Sequence, residues 1–277
     1  MKLFSAVFIL LLVFQTTFAQ PSSPVEKWKG KTILLIGAHP DDDTYSQGTL
    51  AMLQKNGNEI FIGILTTGNV GTQDSELSMI DLANIRLQEE LRALKVLGIP
   101  SDHYINLGYD DGMLEYENKK EVVAKLVRLI RKIKPDVLFA FDPGKGSQRW
   151  HKADHRAASY LAVDAARAAM WPLLFQGQIT VEGLKAHTIS EYMLYDSDKD
   201  DVNIQIDISV YKDKKVKAMS SYVSQWSSGW YKYTGPEISE EEQKKVYERV
   251  NKYIENVNGK AVESFRYYKG LPDGIGR

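Results

Sequence analysis

The sequence predicts an α/β fold of the Rossmann-like type, in which helices cover both faces of a mostly parallel sheet. Two observations favour this fold class. The apolar runs 32–36 and 59–66 have the continuous hydrophobicity of strands that are buried on both faces. Between them, residues 47–56 carry apolar side chains at helical spacing. The three segments therefore form a strand–helix–strand unit, which implies parallel strands.

The same alternation of helices and strands continues along the chain. The pattern predicts helices at 80–97 and 119–132, with strands at 104–107, 135–141, 191–195 and 203–207. Two further helices are expected at 208–225 and 240–257. The glycine-rich loop 68–71 lacks the G-x-G-x-x-G spacing of dinucleotide-binding folds, which argues against a nucleotide-binding protein.

Length and composition limit the possible functions. A chain of 277 residues can form one large α/β domain or two small ones. The net charge of −1 provides no basic surface for nucleic acid. Because there is no cysteine, disulfides, thiolate ligands and a lipoprotein anchor are excluded. Any metal must therefore bind to histidine and carboxylate side chains.

The first residues indicate export to the periplasm or the medium. A charged start, an apolar run over 3–14 and a small residue at Ala19 predict a signal peptide of residues 1–19. The alternative is an uncleaved anchor, but the run is short for a span of ~20 residues. No stable membrane span is expected after cleavage. Residues 20–30 contain two prolines and are interpreted as a linker, followed by a single domain over 31–277.

The loop after the first strand holds the sequence His39-Pro40-Asp41-Asp42-Asp43. In open α/β sheets, ligands bind at the carboxyl ends of the strands. Three adjacent carboxylates repel one another unless a cation or hydrogen-bond donors face them. The loop is therefore either a metal site that uses His39 and a nearby carboxylate, or a polar turn whose Asp residues cap the next helix.

A second polar segment follows the strand 135–141. It contains His151, Asp154 and His155, and Asp154 is predicted to cap a helix that runs from His155 to residue 169. Three of the five histidines thus fall in two loops at the same end of the predicted sheet. A metal site explains this grouping with fewer assumptions than chance does.

The C-terminal third contains an aromatic loop and a polar pair. Ser224 and Gln225 either border the site or cap the helix that precedes them, and capping is the simpler interpretation. The four aromatic residues of the loop could stack on sugar rings, although such clusters more often belong to a core or an interface. They are Trp226, Trp230, Tyr231 and Tyr233.

The Ala-His-Pro-Asp-Asp sequence at the end of the first strand resembles the signature of the PIG-L/LmbE family of zinc-dependent N-acetylglucosamine deacetylases. Further similar segments extend from about Lys31 to Tyr268, and they include Arg86-Leu-Gln-Glu89, Asp111-Gly112 and Asp154-His155. The resemblance implies an LmbE-like fold and an N-acetylated sugar or glycoconjugate as substrate. It also implies a hydrolase that acts on a linear amide bond.

The resemblance also implies roles for individual residues. His155 would be a metal ligand, and Asp154 would orient its neighbours. Arg86 would reach substrate hydroxyls or a phosphate, the alternative being a surface ion pair with Glu89. Asp111 would accept hydrogen bonds from a sugar, the alternative being a type I turn.

Four positions depart from the family pattern. Asp43 stands where the family has Glu, and Tyr222 stands where it often has His. The segment from His151 to His155 is one residue longer than the family's and lacks its proline. Arg149 occupies the place of a Tyr that helps to stabilise the oxyanion in some members. We assign Asp43 to a role beside the ligands or at a helix cap.

With His39, Asp42 and His155 as ligands, a zinc ion would keep one position open for water. The pKa of that water would fall from ~15.7 to ~7. Asp41 would act as general base on the water, and Arg149 or His151 would stabilise the oxyanion. Asp41 or His151 would then protonate the leaving amine. Iron or cobalt could also occupy such a site. The alternative function is a sugar-binding protein that keeps the metal but has no turnover.

Overall fold

The structure is a computed structural model and describes residues 24–144 and 152–271. Its sheet has the order β3-β2-β1-β4-β5-β8-β6, and β7 pairs with β8 at its side. The strands are β1 Thr32–Gly37, β2 Glu59–Thr66, β3 Tyr104–Tyr109, β4 Val137–Phe141, β5 Glu191–Tyr195, β6 Ile204–Asp207, β7 Glu255–Val257 and β8 Lys260–Lys269. The α-helices are α1 Gln47–Lys55, α2 Met79–Leu97, α3 Lys119–Ile133, α4 Ala153–Ala169, α5 Gly177–Thr180, α6 Lys212–Met219, α7 Val223–Trp226 and α8 Glu240–Tyr253.

The predicted fold class is confirmed. Strands β1 to β5 run parallel to one another, and β8 runs antiparallel to its neighbours β5, β6 and β7. Every residue of β4 and β5 is buried, as expected for strands that are covered on both faces. Right-handed crossovers therefore put α1 and α2 on one face of the sheet and α3 and α4 on the other.

The chain reverses its direction of travel across the sheet at β1. It moves from β1 to β2 on one side, and it later returns to β4 on the other side. Such a reversal leaves a crevice at the carboxyl ends of the two central strands, which is where open α/β sheets bind ligands. The loop after β1 and the start of α4, which carry the predicted metal-binding residues, meet at this crevice.

Three predicted segments differ from the structure. Within the predicted linker 20–30, Val25 and Trp28 are buried in the core, so this part packs against the domain. The predicted helix 208–225 is divided into α6 and α7. The predicted helix 240–257 ends at Tyr253, because the chain then forms β7 and turns into β8.

The turn between β7 and β8 explains why the last helix is short. Asn258 and Gly259 have φ angles of 52° and 79°, as required by a tight turn of the mirror-image type. An Asn-Gly pair is a strong sequence signal for a hairpin, and it outweighs the helical pattern of the residues before it.

Within residues 24–144 and 152–271, no helix is both long enough and apolar enough to span a bilayer. The predicted signal peptide, Arg149 and His151 lie outside the described residues, so export and the roles of these two side chains stay predictions.

Candidate metal centre

The loop after β1 is built around the carboxylate of Asp42. Its Oδ2 accepts hydrogen bonds from the backbone N–H groups of Ala38 and His39, each at 2.7 Å. A Cβ atom at Gly37 would lie 2.9 Å from the Cβ of Asp42, so only glycine permits this close approach. The loop therefore holds Asp42 in a fixed orientation before any ligand binds.

His39, Asp42 and His155 come together at the crevice, as the sequence predicts. Each offers one ligand atom, and these atoms lie within 4.8 Å of one another. Nδ1 of His39 is 3.7 Å from Asp42 Oδ2, and Nε2 of His155 is 3.3 Å from Asp42 Oδ1. All three residues are buried. Two imidazoles and one carboxylate are a ligand set that suits a divalent transition metal, so the residues fit the predicted group.

The other ring nitrogen of His39 faces two further carboxylates. Nε2 lies 2.9 Å from Asp111 Oδ1 and 3.3 Å from Asp154 Oδ2. Burial acts to lower the pKa of His39, but hydrogen bonds with the surrounding carboxylates raise it well above its usual value. These acceptors face Nε2, so a metal beside Asp42 would bind Nδ1 in place of the proton on that atom.

Asp154 does not cap its helix, and this prediction was wrong. Helix α4 begins at Ala153, with Lys152 at the capping position. The Asp154 side chain instead accepts hydrogen bonds from the N–H groups of Gly112 and Leu114, at 2.7 and 3.1 Å. It thereby joins α4 to the loop after β3 and contacts His39, in agreement with the orienting role that the resemblance implied.

Helix α4 also positions His155. The imidazole stacks on Phe141, the last residue of β4, with ring centroids 4.2 Å apart. Its centroid lies 5.1 Å from that of His39. The end of β4 thus fixes one ligand and the end of β1 fixes the other two.

Asp41, the predicted general base, has an unusual backbone conformation. Its φ angle of 115° is in a region that L-residues rarely adopt, and such a conformation costs about 1–3 kcal/mol. Arg86 Nη2 donates to Asp41 Oδ1 at 2.9 Å and also to the carbonyl oxygen of Pro40. Burial raises the pKa of Asp41, and the nearby Arg86 guanidinium opposes this effect.

The alternative of a surface ion pair between Arg86 and Glu89 was wrong, because both residues are buried. Glu89 accepts hydrogen bonds from the backbone N–H and the hydroxyl of Ser224, at 2.7 and 2.6 Å. Burial raises the pKa of Glu89 to about 7. The capping interpretation of Ser224 and Gln225 was also wrong, since Ser224 binds Glu89 and Gln225 donates to the carbonyl of Gly71.

Asp43 belongs to a buried polar bridge, which consists of Asp43, Tyr222 and Glu90. The Tyr222 hydroxyl lies 2.8 Å from Asp43 Oδ1 and 2.9 Å from Glu90 Oε2. Gln47 donates to the other oxygen of Asp43 at 2.9 Å. This contact pattern rules out a helix-capping role for the Asp43 side chain. Glu90 was not singled out in the sequence, where nothing distinguishes it from any other helical glutamate.

The bridge requires a proton on one of its carboxyl groups. A phenol has one hydrogen to donate, so it cannot serve two carboxylates at the same time. Burial raises the pKa of Asp43 to about 6, and burial together with the charge of Asp43 raises the pKa of Glu90 well above its usual value. The two carboxyl groups therefore share one proton, and the Tyr222 hydroxyl donates to the one that is charged.

A cavity of about 700 Å³ opens over these residues. The predicted residues His39, Asp41, Asp42, Arg86, Asp111, Asp154 and His155 all contribute to its lining. Two residues of the predicted aromatic loop, Trp226 and Trp230, form part of its wall, together with Tyr45 and Tyr253. Its size is within the range of ~300–1,000 Å³ that is typical of small-molecule sites.

Comparison with known proteins agrees with this geometry. The sequence model of the PIG-L family, described as GlcNAc-PI de-N-acetylase, matches residues 34–166. A diacetylchitobiose deacetylase of Thermococcus kodakarensis is 32% identical over 197 residues, which are 71% of this chain and 70% of that protein. The chain belongs to the PIG-L family. The family prediction is thus confirmed.

Two other PIG-L relatives extend the comparison. A 1D-myo-inositol 2-acetamido-2-deoxy-alpha-D-glucopyranoside deacetylase of Catenulispora acidiphila is 29% identical and aligns with 77% of this chain and 82% of its own. The structure of the N,N'-diacetylchitobiose deacetylase from Pyrococcus horikoshii has a TM-score of 0.72 and 29% identity, over 87% of this chain and 85% of that one. The predicted class of amide hydrolase agrees with the names of all three relatives.

Proposed function

We propose that this PIG-L protein is a zinc-dependent N-deacetylase. It would hydrolyse the acetamide of an N-acetylglucosamine glycoside and release acetate and the free amine. The observation that carries the proposal is the grouping of His39, Asp42 and His155 on the floor of a cavity that Asp41 also lines. In addition, the relatives that share the motif are named as deacetylases of acetylated amino sugars.

Each residue of the metal centre would have its own role in the reaction. Zn²⁺ held by His39, Asp42 and His155 would polarise the acetamide carbonyl and lower the pKa of a bound water. Asp41 is adjacent to a ligand without being needed as one. Its carboxylate would accept the proton of the attacking water and return it to the departing amine. Arg86 keeps that carboxylate in place by binding its Oδ1.

The cavity suits a sugar ring next to the reacting amide. Aromatic faces in its wall, such as Trp226 and Trp230, provide apolar surface for the faces of a pyranose. Polar groups, such as Asp111 and Gln225, offer hydrogen-bond partners for hydroxyl groups at its edge. His151 and Arg149 stay the predicted oxyanion donors.

The test is acetate release by the purified protein, loaded with zinc, from a panel of N-acetylglucosamine glycosides and chito-oligosaccharides. We expect release that a chelator abolishes and that added zinc restores. Asp41→Asn should keep one zinc per chain and lose turnover by about 10²–10⁴-fold, the range for a general base.

Two results would contradict the proposal. An Asp41→Asn variant with full activity would remove Asp41 from the role of base. A folded, zinc-loaded protein that releases acetate from no member of the panel, but binds some of them, would instead be the non-catalytic sugar-binding protein.

A further inference from the structure

The bridge of Asp43, Tyr222 and Glu90 continues to the backbone of the predicted general base. Glu90 Oε2, which contacts the Tyr222 hydroxyl at 2.9 Å, also accepts a hydrogen bond from the backbone N–H of Asp41 at 3.1 Å. A continuous series of hydrogen bonds thus links Asp43 through Tyr222 and Glu90 to the backbone of Asp41, which precedes Asp43 by two residues. The loop after β1 is closed into a ring by side chains from α2 and from the start of α7.

Helix α2 holds the loop at two points. Arg86 and Glu90 are one turn apart, so their side chains leave the same face of the helix. Arg86 binds the carbonyl of Pro40 and the carboxylate of Asp41, while Glu90 binds the N–H of Asp41. The peptide unit between Pro40 and Asp41 is therefore held at its oxygen and at its nitrogen. This is the unit next to the strained φ angle of 115°.

We propose that Glu90 and Tyr222 are positioning residues. Through their contacts with Asp41 and Asp43, they would hold the peptide of Asp41 in its left-handed conformation and thereby aim the carboxylate into the cavity. This inference rests on the proposed function, in which Asp41 is the base.

Burial makes the bridge specific for these side chains. Asp43, Tyr222 and Glu90 are each fully buried, so no solvent can replace a lost partner. Within the bridge, the Tyr222 hydroxyl contacts Asp43 directly, so a change at either residue affects the other.

The test compares Tyr222→Phe, Glu90→Leu and Glu90→Gln in the zinc-loaded enzyme. Tyr222→Phe removes the bridging hydroxyl, and Glu90→Leu removes the acceptor for the Asp41 N–H. We expect each to lower kcat about 10- to 100-fold, with zinc content unchanged and KM within about twofold. Glu90→Gln keeps an acceptor oxygen and should recover most of the lost kcat.

The matched control is Tyr267→Phe. It also removes a tyrosine hydroxyl from a carboxylate, that of Glu191 at 2.7 Å, but at the opposite end of the sheet. It should leave kcat unchanged. If Tyr222→Phe folds and keeps the wild-type kcat, the proposal is overturned, and this variant decides the matter even if Glu90→Leu does not fold.

A stability measurement does not depend on turnover, so it tests the bridge separately from the proposed deacetylase function. In urea unfolding, the effects of Tyr222→Phe and Glu90→Leu should be strongly non-additive, because each substitution breaks the same bridge. A wild type that releases no acetate would refute the proposed function but leave this coupling measurable. Additive effects in the folded protein would overturn the bridge itself.

Discussion

Nε2 of His39 lies 2.9 Å from Oδ1 of Asp111. Asp111 therefore contacts the ring nitrogen that faces away from Asp42, and it favours a proton on Nε2, so that Nδ1 is the atom a metal would bind. The resemblance to the family implied that Asp111 would accept hydrogen bonds from sugar hydroxyls, with a type I turn as the alternative. The structure adds a contact with a predicted metal ligand, which links the loop after β3 to the metal centre.

The first prediction concerns metal affinity. Asp111→Ala should weaken zinc binding about 10- to 100-fold, because the orienting partner of His39 is lost. Competition with a chromogenic chelator measures this change. Asp110→Ala is the control, since it removes a carboxylate from the same loop that binds Asn69 rather than His39. Equal losses in both variants would mean that the loop, and not the contact with His39, governs affinity.

The second prediction uses two glycines with nearly the same backbone. Gly30 and Gly68 have φ angles of 64° and 66°, so an alanine at either site is strained by about 1–2 kcal/mol. A Cβ at Gly68 would lie 2.6 Å from Nη1 of Arg86, whereas no atom of the described residues lies within 4 Å of a Cβ at Gly30. Gly68→Ala should therefore displace Arg86 and lower kcat about tenfold or more, while Gly30→Ala lowers stability alone.

Thermal unfolding separates the two effects of these substitutions. Similar falls in Tm with a loss of kcat only in Gly68→Ala would support a role of Arg86 in holding Asp41. If Gly68→Ala retains the wild-type kcat, then Arg86 does not have to occupy its observed place for catalysis.

The parallel half of the sheet could be predicted from the sequence because its signals are local. The strand 59–66 was predicted with the bounds that β2 has, since a continuous apolar run between polar ends has few other interpretations. His39, His151 and His155 could be grouped because they lie in two segments that follow strands, and parallel strands end at one edge. The resemblance to the family, and not the strand positions, singled out His155 as a metal ligand.

The buried bridge could not be predicted, because its members are distant in the sequence and ordinary in type. Glu90 lies 132 residues from Tyr222, and only the packing of α2 against α6 and α7 brings them together. The division of the helix predicted at 208–225 has the same cause, since Ser224 and Tyr222 turn inward to bind buried carboxylates. The end of the last helix has a local cause instead, because the Asn258-Gly259 turn outweighs the helical pattern before it.

The third prediction concerns pH and stability. Burial raises the pKa of Glu89 from an ordinary 4.5 to about 7. Between these values the folded protein holds a proton that the unfolded chain has released, so the free energy of unfolding falls as pH rises from about 4.5 to about 7. Each unit of pKa shift corresponds to about 1.4 kcal/mol. Glu89→Gln has no such proton, and its stability relative to the wild type should increase across this window.

Urea unfolding at several pH values measures the effect. Glu59→Gln is the control, because it removes an exposed carboxyl at the start of β2. A constant difference between Glu89→Gln and the wild type from pH 4.5 to pH 7 would show that Glu89 does not titrate in this range.

The fourth prediction concerns the aromatic wall of the cavity. The main chain of Trp230 is fixed, because its carbonyl accepts hydrogen bonds from Gln73 N–H and the Thr72 hydroxyl, at 2.9 and 3.1 Å. Trp230→Ala should therefore remove the indole without moving the loop. Contact between the indole and the sugar would bury about half as much apolar surface as the full burial of a large side chain. The loss of this contact should cost about 1 kcal/mol of binding, or about fivefold in KM. The value of kcat should not change, because Trp230 lines the cavity wall and is neither a predicted metal ligand nor the predicted base. Trp171→Ala, which truncates an exposed tryptophan outside this cavity, is the control.

Steady-state kinetics on chito-oligosaccharides measures both constants. A KM that is unchanged for every oligosaccharide would mean that the sugar does not stack on this wall, and a fall in kcat alone would assign Trp230 to the reacting end of the cavity.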